Sequence, residues 1–346
     1  MLCFLRSGRA PAVTFAISAV CLLSSANVWC DDVALEGFGF RNHNPFLQIF
    51  GLPPLQSAVL APEGLVTIAV SLDLANNADF GETGAENFLI DGESYFLDIS
   101  LRRRMNDWLE LGADVPLVAH DGGFMDSAII RWHDTFGMSN TKRRDSDDQL
   151  QFLYERDGSR LYELNSTAAG IGDIQLSAAI SMKAVQADGY ALTVRSSIKF
   201  PTGDDKDLLG SGAVDLATGM YISDNRSLFN RPLDLSAFAG VLLPGDGDVL
   251  PEIQESTVPF GGVVASWQWT DRLAITTQLQ AQGAYFDSDI EELGGSTTQL
   301  GVGFSYRLRR SGRCLKFAVA EDVTADATTD IAFRFAIVNR CSVNSL

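Results

Sequence analysis

After Ala26 the sequence has no apolar run long enough to cross a bilayer as a helix, which takes about 20 residues. It is also poor in positive charge. Lys and Arg number 26 against 44 Asp and Glu, giving a formal net charge of −18. That balance excludes nucleic acid as a partner, because a phosphate backbone needs a basic surface. Histidine occurs three times. No G-x-S-x-G elbow is present, and no His, Cys or carboxylate spacing matches a metal signature. The reading is therefore of a chain without a catalytic site, a metal or a cofactor. Cysteine is scarce as well: three of the five lie at Cys3, Cys21 and Cys30.

Residues 1–30 read as a secretory signal. Arg6 and Arg9 supply a positive start, Pro11 to Ala26 is mostly apolar, and Ser24-Ser25-Ala26 offers small residues for cleavage. Removal of this segment leaves Cys314 and Cys341. They flank the last hairpin symmetrically about its turn near Ala327, so they are expected to meet across adjacent strands as a disulfide in an oxidising compartment. A mature chain with no spanning helix can be held by a membrane only as a closed barrel.

What the sequence has is period two. From Val258 to Arg340 the residues separate into two columns. Val263, Ala265, Trp267 and Trp269 form one apolar set, and Leu300, Val302, Phe304, Tyr306 and Leu308 another, opposed by Gln299, Gly301, Gly303, Ser305 and Arg307. Ile331, Phe333, Phe335 and Ile337 close the series with Arg334 between them. Alternation sustained over about ten residues per segment is the mark of membrane-spanning strands. Short connections (104–107, 186–189, 270–272, 309–313) alternate with long ones (76–92, 119–170, 201–212, 244–258, 286–295). The expectation is an all-β, transmembrane, antiparallel up-and-down β-barrel of about 12 strands over residues 64–346, with one long helix-and-hairpin loop. Trp108, Trp267, Trp269, Tyr285 and Phe286 are assigned to its aromatic girdles. Residues 31–63 are too rich in proline for barrel strands and too apolar for a solvated tail. They are expected at the periplasmic mouth or inside the lumen as a plug.

Several segments carry a resemblance: NPFLQIFGLP (44–53), DGE (91–93), DSAIIRWHDTFG (126–137), GIGD (170–173), KFPTGD (199–204) and GSGAVD (210–215). Together they resemble an uncharacterised family of Gram-negative outer-membrane β-barrels known only as a domain of unknown function. The KFPTG and GSGAVD loops are also similar to those of barrels that pass small hydrophobic or aromatic molecules. The resemblance implies an outer-membrane location in a Gram-negative bacterium. It carries no known substrate; the partners expected of such a barrel are outer-membrane lipid, the barrel-assembly machinery and a small-molecule solute of unknown identity.

Charges on the inward columns are the candidates for a pathway: Asp98, Arg102, Glu110, Asp114, Arg195, Lys199, Arg307 and Arg334. Charge at membrane depth is costly unless it faces water or a partner. In the long excursion, Asp126, Trp132 and His133 are read as anchors that hold a loop helix to the barrel. Three functions remain open. The first is a narrow channel or transporter for small molecules. The second is a closed structural or interaction barrel. The third is a lipid-directed hydrolase, for which His120, His133 and His43 lack a serine two residues away.

Overall fold

A computed structural model describes residues 37–125, 149–182, 190–224, 227–228, 231–323 and 331–340. In chain order the strands are β1 (Val66–Glu82), β2 (Glu86–Arg104), β3 (Leu109–Asp121), β4 (Gln151–Arg156), β5 (Ser159–Leu164), β6 (Ala168–Ile171), β7 (Gln175–Ser181) and β8 (Tyr190–Lys199). They continue as β9 (Asp215–Asp224), β10 (Ser227–Leu228), β11 (Arg231–Leu243), β12 (Val258–Thr270), β13 (Leu273–Gln282), β14 (Thr297–Arg307), β15 (Cys314–Asp322) and β16 (Ile331–Val338). Twelve of them, β1, β2, β3, β7, β8, β9 and β11 to β16, form an antiparallel ring. It closes where β1 pairs with β16, from Ala69 opposite Val338 to Asn76 opposite Ile331. Closure leaves the twelve-strand ring without an edge, the condition for β-structure in lipid.

The wall follows from side-chain alternation. Along β9, Leu216, Met220 and Ile222 are exposed while Asp215, Ala217, Tyr221 and Ser223 are buried. Thr276, Gln278, Gln299 and Ser305 point inward and are buried, whereas Leu279, Leu300, Val302 and Phe304 point out. An exposed apolar wall around a polar interior suits lipid outside. The turns 105–108, 271–272 and 308–313 share one end, which by the pattern of outer-membrane barrels is the periplasmic one. There, Asn106 Oδ1 accepts from the amides of Trp108 and Leu109, each at 2.9 Å, and fixes the β2–β3 turn. Trp108 and Trp269 are exposed at this end, in girdle positions.

Two expectations change. Residues 76–92 do not form a long loop: β1 and β2 pair through Glu82 opposite Asn87, leaving only 83–85 as the connection. Asn, Asp and Gly weaken strand propensity, but β4 adds to the outer half of β2 from Glu86–Arg156 to Asp91–Gln151. Phe88 and Ile90 are fully buried there, so tertiary context overrides the local preference. Tyr285 and Phe286, each 1% exposed, are not girdle residues but belong to a buried cluster at the outer end. The β4–β5 hairpin turns at Asp157-Gly158, both with positive φ, as its sequence implies. The helical half of that loop, with the anchors Asp126, Trp132 and His133, lies outside the described residues.

The alternation makes a directional prediction. Val302 is 47% exposed at the middle of β14. Val302→Arg is expected to lower stability by about 2–4 kcal/mol in lipid vesicles, the cost of a cation at the bilayer midplane. Gln299→Lys, on the lumen face, is expected to cost less. Equilibrium urea unfolding monitored by tryptophan fluorescence measures both.

Candidate functional site

Residues 37–62 lie within the barrel and are held by inward side chains from all sides of the ring. The segment forms a turn over 45–49. Asn44 Oδ1 accepts from the Phe46 amide at 3.0 Å, and Asn44 O accepts from the amides of Leu47 and Gln48 at 2.9 Å. Asn before Pro at the start of a turn is favoured because proline lacks the amide that would go unsatisfied. Before the turn, the Phe38 amide donates to Gln278 Oε1 at 3.0 Å, and Arg334 Nη1 donates to Gly39 O at 3.0 Å. His43 Nε2 stands 3.0 Å from Asp73 Oδ2, which also pairs with Arg334 at 2.9 Å. After the turn, Arg195 donates to Ser57 O, Thr193 Oγ1 to Ala58 O, and the Ala58 and Ala61 amides donate to Ser223 Oγ and Glu110 Oε2. The strands pair with one another, so this segment is satisfied by side chains instead of a ladder.

The tightest contact centres on Lys199. Its ammonium lies 2.8 Å from Asp173 Oδ2 and 2.9 Å from Asp215 Oδ2, donates to Ile49 O at 2.9 Å and also bonds Ser211 Oγ. Asp215 Oδ2 accepts the Gly51 amide at 2.7 Å, and Gln175 Nε2 donates to Gly51 O at 2.8 Å. Asp173 accepts in turn from the Gly203 and Ser211 amides, so the same cluster shapes the β8–β9 loop. Gly51 is there because of space. A Cβ at this position would stand 2.9 Å from Lys199 Cβ and 3.1 Å from Asp215 Cβ.

Above the clasp the contact turns apolar. Phe50 stacks on Tyr285 with centroids 4.9 Å apart and meets Phe286 at 5.6 Å. Phe46 packs against Phe88 at 5.4 Å and edge-on to Tyr162 at 5.3 Å. Leu208, Leu242, Val249, Ile253 and Leu293 complete this cap from the outer loops and strand ends. Tyr162 Oη donates to Lys206 O at 2.7 Å. Burial, then Asp207, Asp205 and Asp204, push that phenol well above its ordinary range.

The structure distributes the sequence-predicted charges among different tasks. Arg102 grips Asp114 with two bonds of 2.9 Å, and Arg195 pairs with Glu110 at 2.8 Å. Asp98 is 7% exposed beside them. Lys199 and Arg334 hold residues 37–62. Arg307 donates to Asp271 O in the β12–β13 turn, 271–272. Sequence reasoning overlooked Asp73, Asp173, Ser211 and Asp215 as functional side chains. It also placed His120 in a loop, whereas it ends β3 with Nδ1 2.9 Å from Ser94 Oγ and Nε2 facing Gln48 and Leu208 O. Ser94 is 1% exposed and His120 is fully buried.

A closed ring of twelve antiparallel strands with an apolar wall and a filled polar lumen is a transmembrane β-barrel of the outer-membrane class. The chain belongs to the family described as Protein of unknown function (DUF3187), whose model matches residues 13–340. No curated protein matches it in sequence. Its fold is similar to the COG4313 outer membrane channel from Pseudomonas putida F1, at 13% identity and a TM-score of 0.52, covering 80% of this chain and 96% of that one. It is also similar to the NanC porin, at 5% identity and a TM-score of 0.44, covering 82% and 100%. A third likeness is the Ralstonia pickettii toluene transporter TbuX, at 13% identity and a TM-score of 0.38, covering 80% and 89%.

Two substitutions test the clasp. Lys199→Met leaves two buried carboxylates without their cation, a loss worth about 3–5 kcal/mol. Gly51→Ala overpacks the same contact at a cost of about 1–3 kcal/mol. Both are expected to speed amide exchange across residues 46–56, read by peptide-level hydrogen exchange, while strands β13 to β16 keep their protection. Unchanged exchange at 46–56 in both variants would contradict this geometry.

Proposed function

We propose that the protein is an outer-membrane channel for small solutes in which residues 37–62 act as a plug that sets conductance. One observation carries the reading: the lumen is filled by a segment attached through side-chain contacts, not by strand pairing. Such a segment can leave without opening the barrel wall. The pairs Arg102–Asp114 and Arg195–Glu110 then line a polar passage, which suits rapid transit better than an apolar wall would. The reading includes export directed by residues 1–30, insertion by the assembly machinery and a Gram-negative outer-membrane location. The closed interaction barrel is the second reading, and the apolar cap over the plug favours it.

Bilayer conductance separates the two. Intact refolded protein is expected to be silent or rarely open, and a variant lacking 37–62 to show discrete channels. Lys199→Met, which keeps the whole chain, is expected to open more often than wild type. Silence from all three, with heat-modifiable barrels on gels, would favour the closed barrel.

The proposal also includes the Cys314–Cys341 disulfide. Cys314 opens β15 and is buried, while Cys341 lies outside the described residues. Mature protein is expected to resist alkylation at both thiols until reduced, which intact-mass spectrometry reads directly. Free thiols in protein purified from outer membranes without reductant would contradict it.

A further inference from the structure

Between the plug and the periplasmic end, the lumen contains a cavity of about 130 Å³. Its walls belong to the periplasmic halves of β1, β2, β3, β15 and β16 with Arg195 of β8 and Ser305 of β14, and its roof to plug residues 37–41 and 54–62. Six cationic side chains line it, Arg41, Arg102, Arg195, Lys316, Arg334 and Arg340, against three carboxylates, Asp98, Glu110 and Asp114. Positive charge therefore predominates here, within a chain whose overall charge is −18.

The pairings sharpen the excess. Glu110 and Asp114 are committed to Arg195 and Arg102. Arg334 is committed to Asp73, outside the lining. Arg41 lies over the Phe96 ring at 5.7 Å and reaches Gln175 only at 3.5 Å. Two guanidinium nitrogens, Arg334 Nε and Arg340 Nη1, are buried without a hydrogen-bond partner among the described residues. Asp98 Oδ1 is likewise a buried acceptor without one. Unmet donors of this kind ask for an acceptor-rich ligand, since leaving a charged group unpaired costs more than a neutral one. A planar guanidinium fork matches a carboxylate. The lone acceptor asks for a hydroxyl on the same solute.

We infer that this cavity is a binding subsite for a small hydroxycarboxylate anion, with Arg340, Arg334 and Arg41 taking the carboxylate and Asp98 accepting from the hydroxyl. Size agrees: an apolar cavity of about 150 Å³ holds benzene, so a solute of six or seven heavy atoms fits. The subsite deepens the channel reading by naming a substrate class. It depends on that reading only for the route by which the solute arrives.

The test is calorimetric titration of intact refolded protein with lactate, with propionate and propane-1,2-diol as probes lacking the hydroxyl or the charge. Lactate is expected to bind one to one. Propionate is expected to bind about tenfold more weakly, the loss of one hydrogen bond to a charged group, and the diol to give no heat. Arg340→Gln and Arg41→Gln, on different segments, are each expected to weaken lactate by about tenfold or more. No lactate binding, or binding unchanged in both variants, would overturn the subsite. Reversal potentials of the Lys199→Met channel in a KCl gradient add a second readout, with anion preference expected and cation preference contrary to it. Lactate binding in a protein that never conducts would sink the channel reading and leave the subsite standing. Conduction without lactate binding would do the reverse.

Discussion

The Lys199 ammonium, set between the carboxylates of Asp173 and Asp215, is the contact on which the seating of residues 37–62 in the lumen depends. An ammonium and two carboxylates taken out of water are stable only where geometry is good and the remaining hydrogen-bond capacity is met. The barrel meets part of that capacity through Ser211 Oγ and the Gly203, Ser211 and Gly245 amides, and residues 37–62 add Ile49 O and the Gly51 amide. Removing residues 37–62 takes two backbone partners from the cluster, Ile49 O and the Gly51 amide, unless water replaces them. Ion cluster and plug therefore stabilise one another, and water entering from either end weakens both.

Two kinds of adhesion share the segment. The Phe46–Phe50 side packs into an apolar cap whose strength is non-directional and scales with buried area. The stretches 37–44 and 51–61 are held by directional polar contacts to the wall. The apolar layer faces the outer end, and the polar cavity lies toward the periplasmic end. A displacement that starts from the periplasm breaks exchangeable hydrogen bonds first and the cap last.

The barrel was legible because its signal is local. Alternation in segments such as Leu300–Leu308 needs no knowledge of partners, and lumen and lipid impose it directly. The extended β1–β2 ladder was not legible, since Asn76, Asn77 and Asp79 read as loop until β4 and the cap bury their surroundings. Tyr285 and Phe286 misled for the same reason: an aromatic at a strand end serves a girdle or a cap equally well. The clasp was half visible. GIGD, KFPTGD and GSGAVD stood out as segments, and each falls at the outer end of one of three consecutive strands. Antiparallel register then sets Lys199 opposite both Gln175 and Asp215. What sequence could not supply was the plug's depth, because residues 37–62 have no periodicity to register them against the wall.

The most direct test ties the plug down reversibly. Ala58→Cys and Ser223→Cys, at positions where the Ala58 amide now lies 3.0 Å from Ser223 Oγ, would tether the segment to β9 in a Lys199→Met background. Single-channel current should vanish on oxidation and return on reduction, while untethered Lys199→Met conducts under both conditions. Current that ignores the tether would contradict the account and place the conduction path elsewhere.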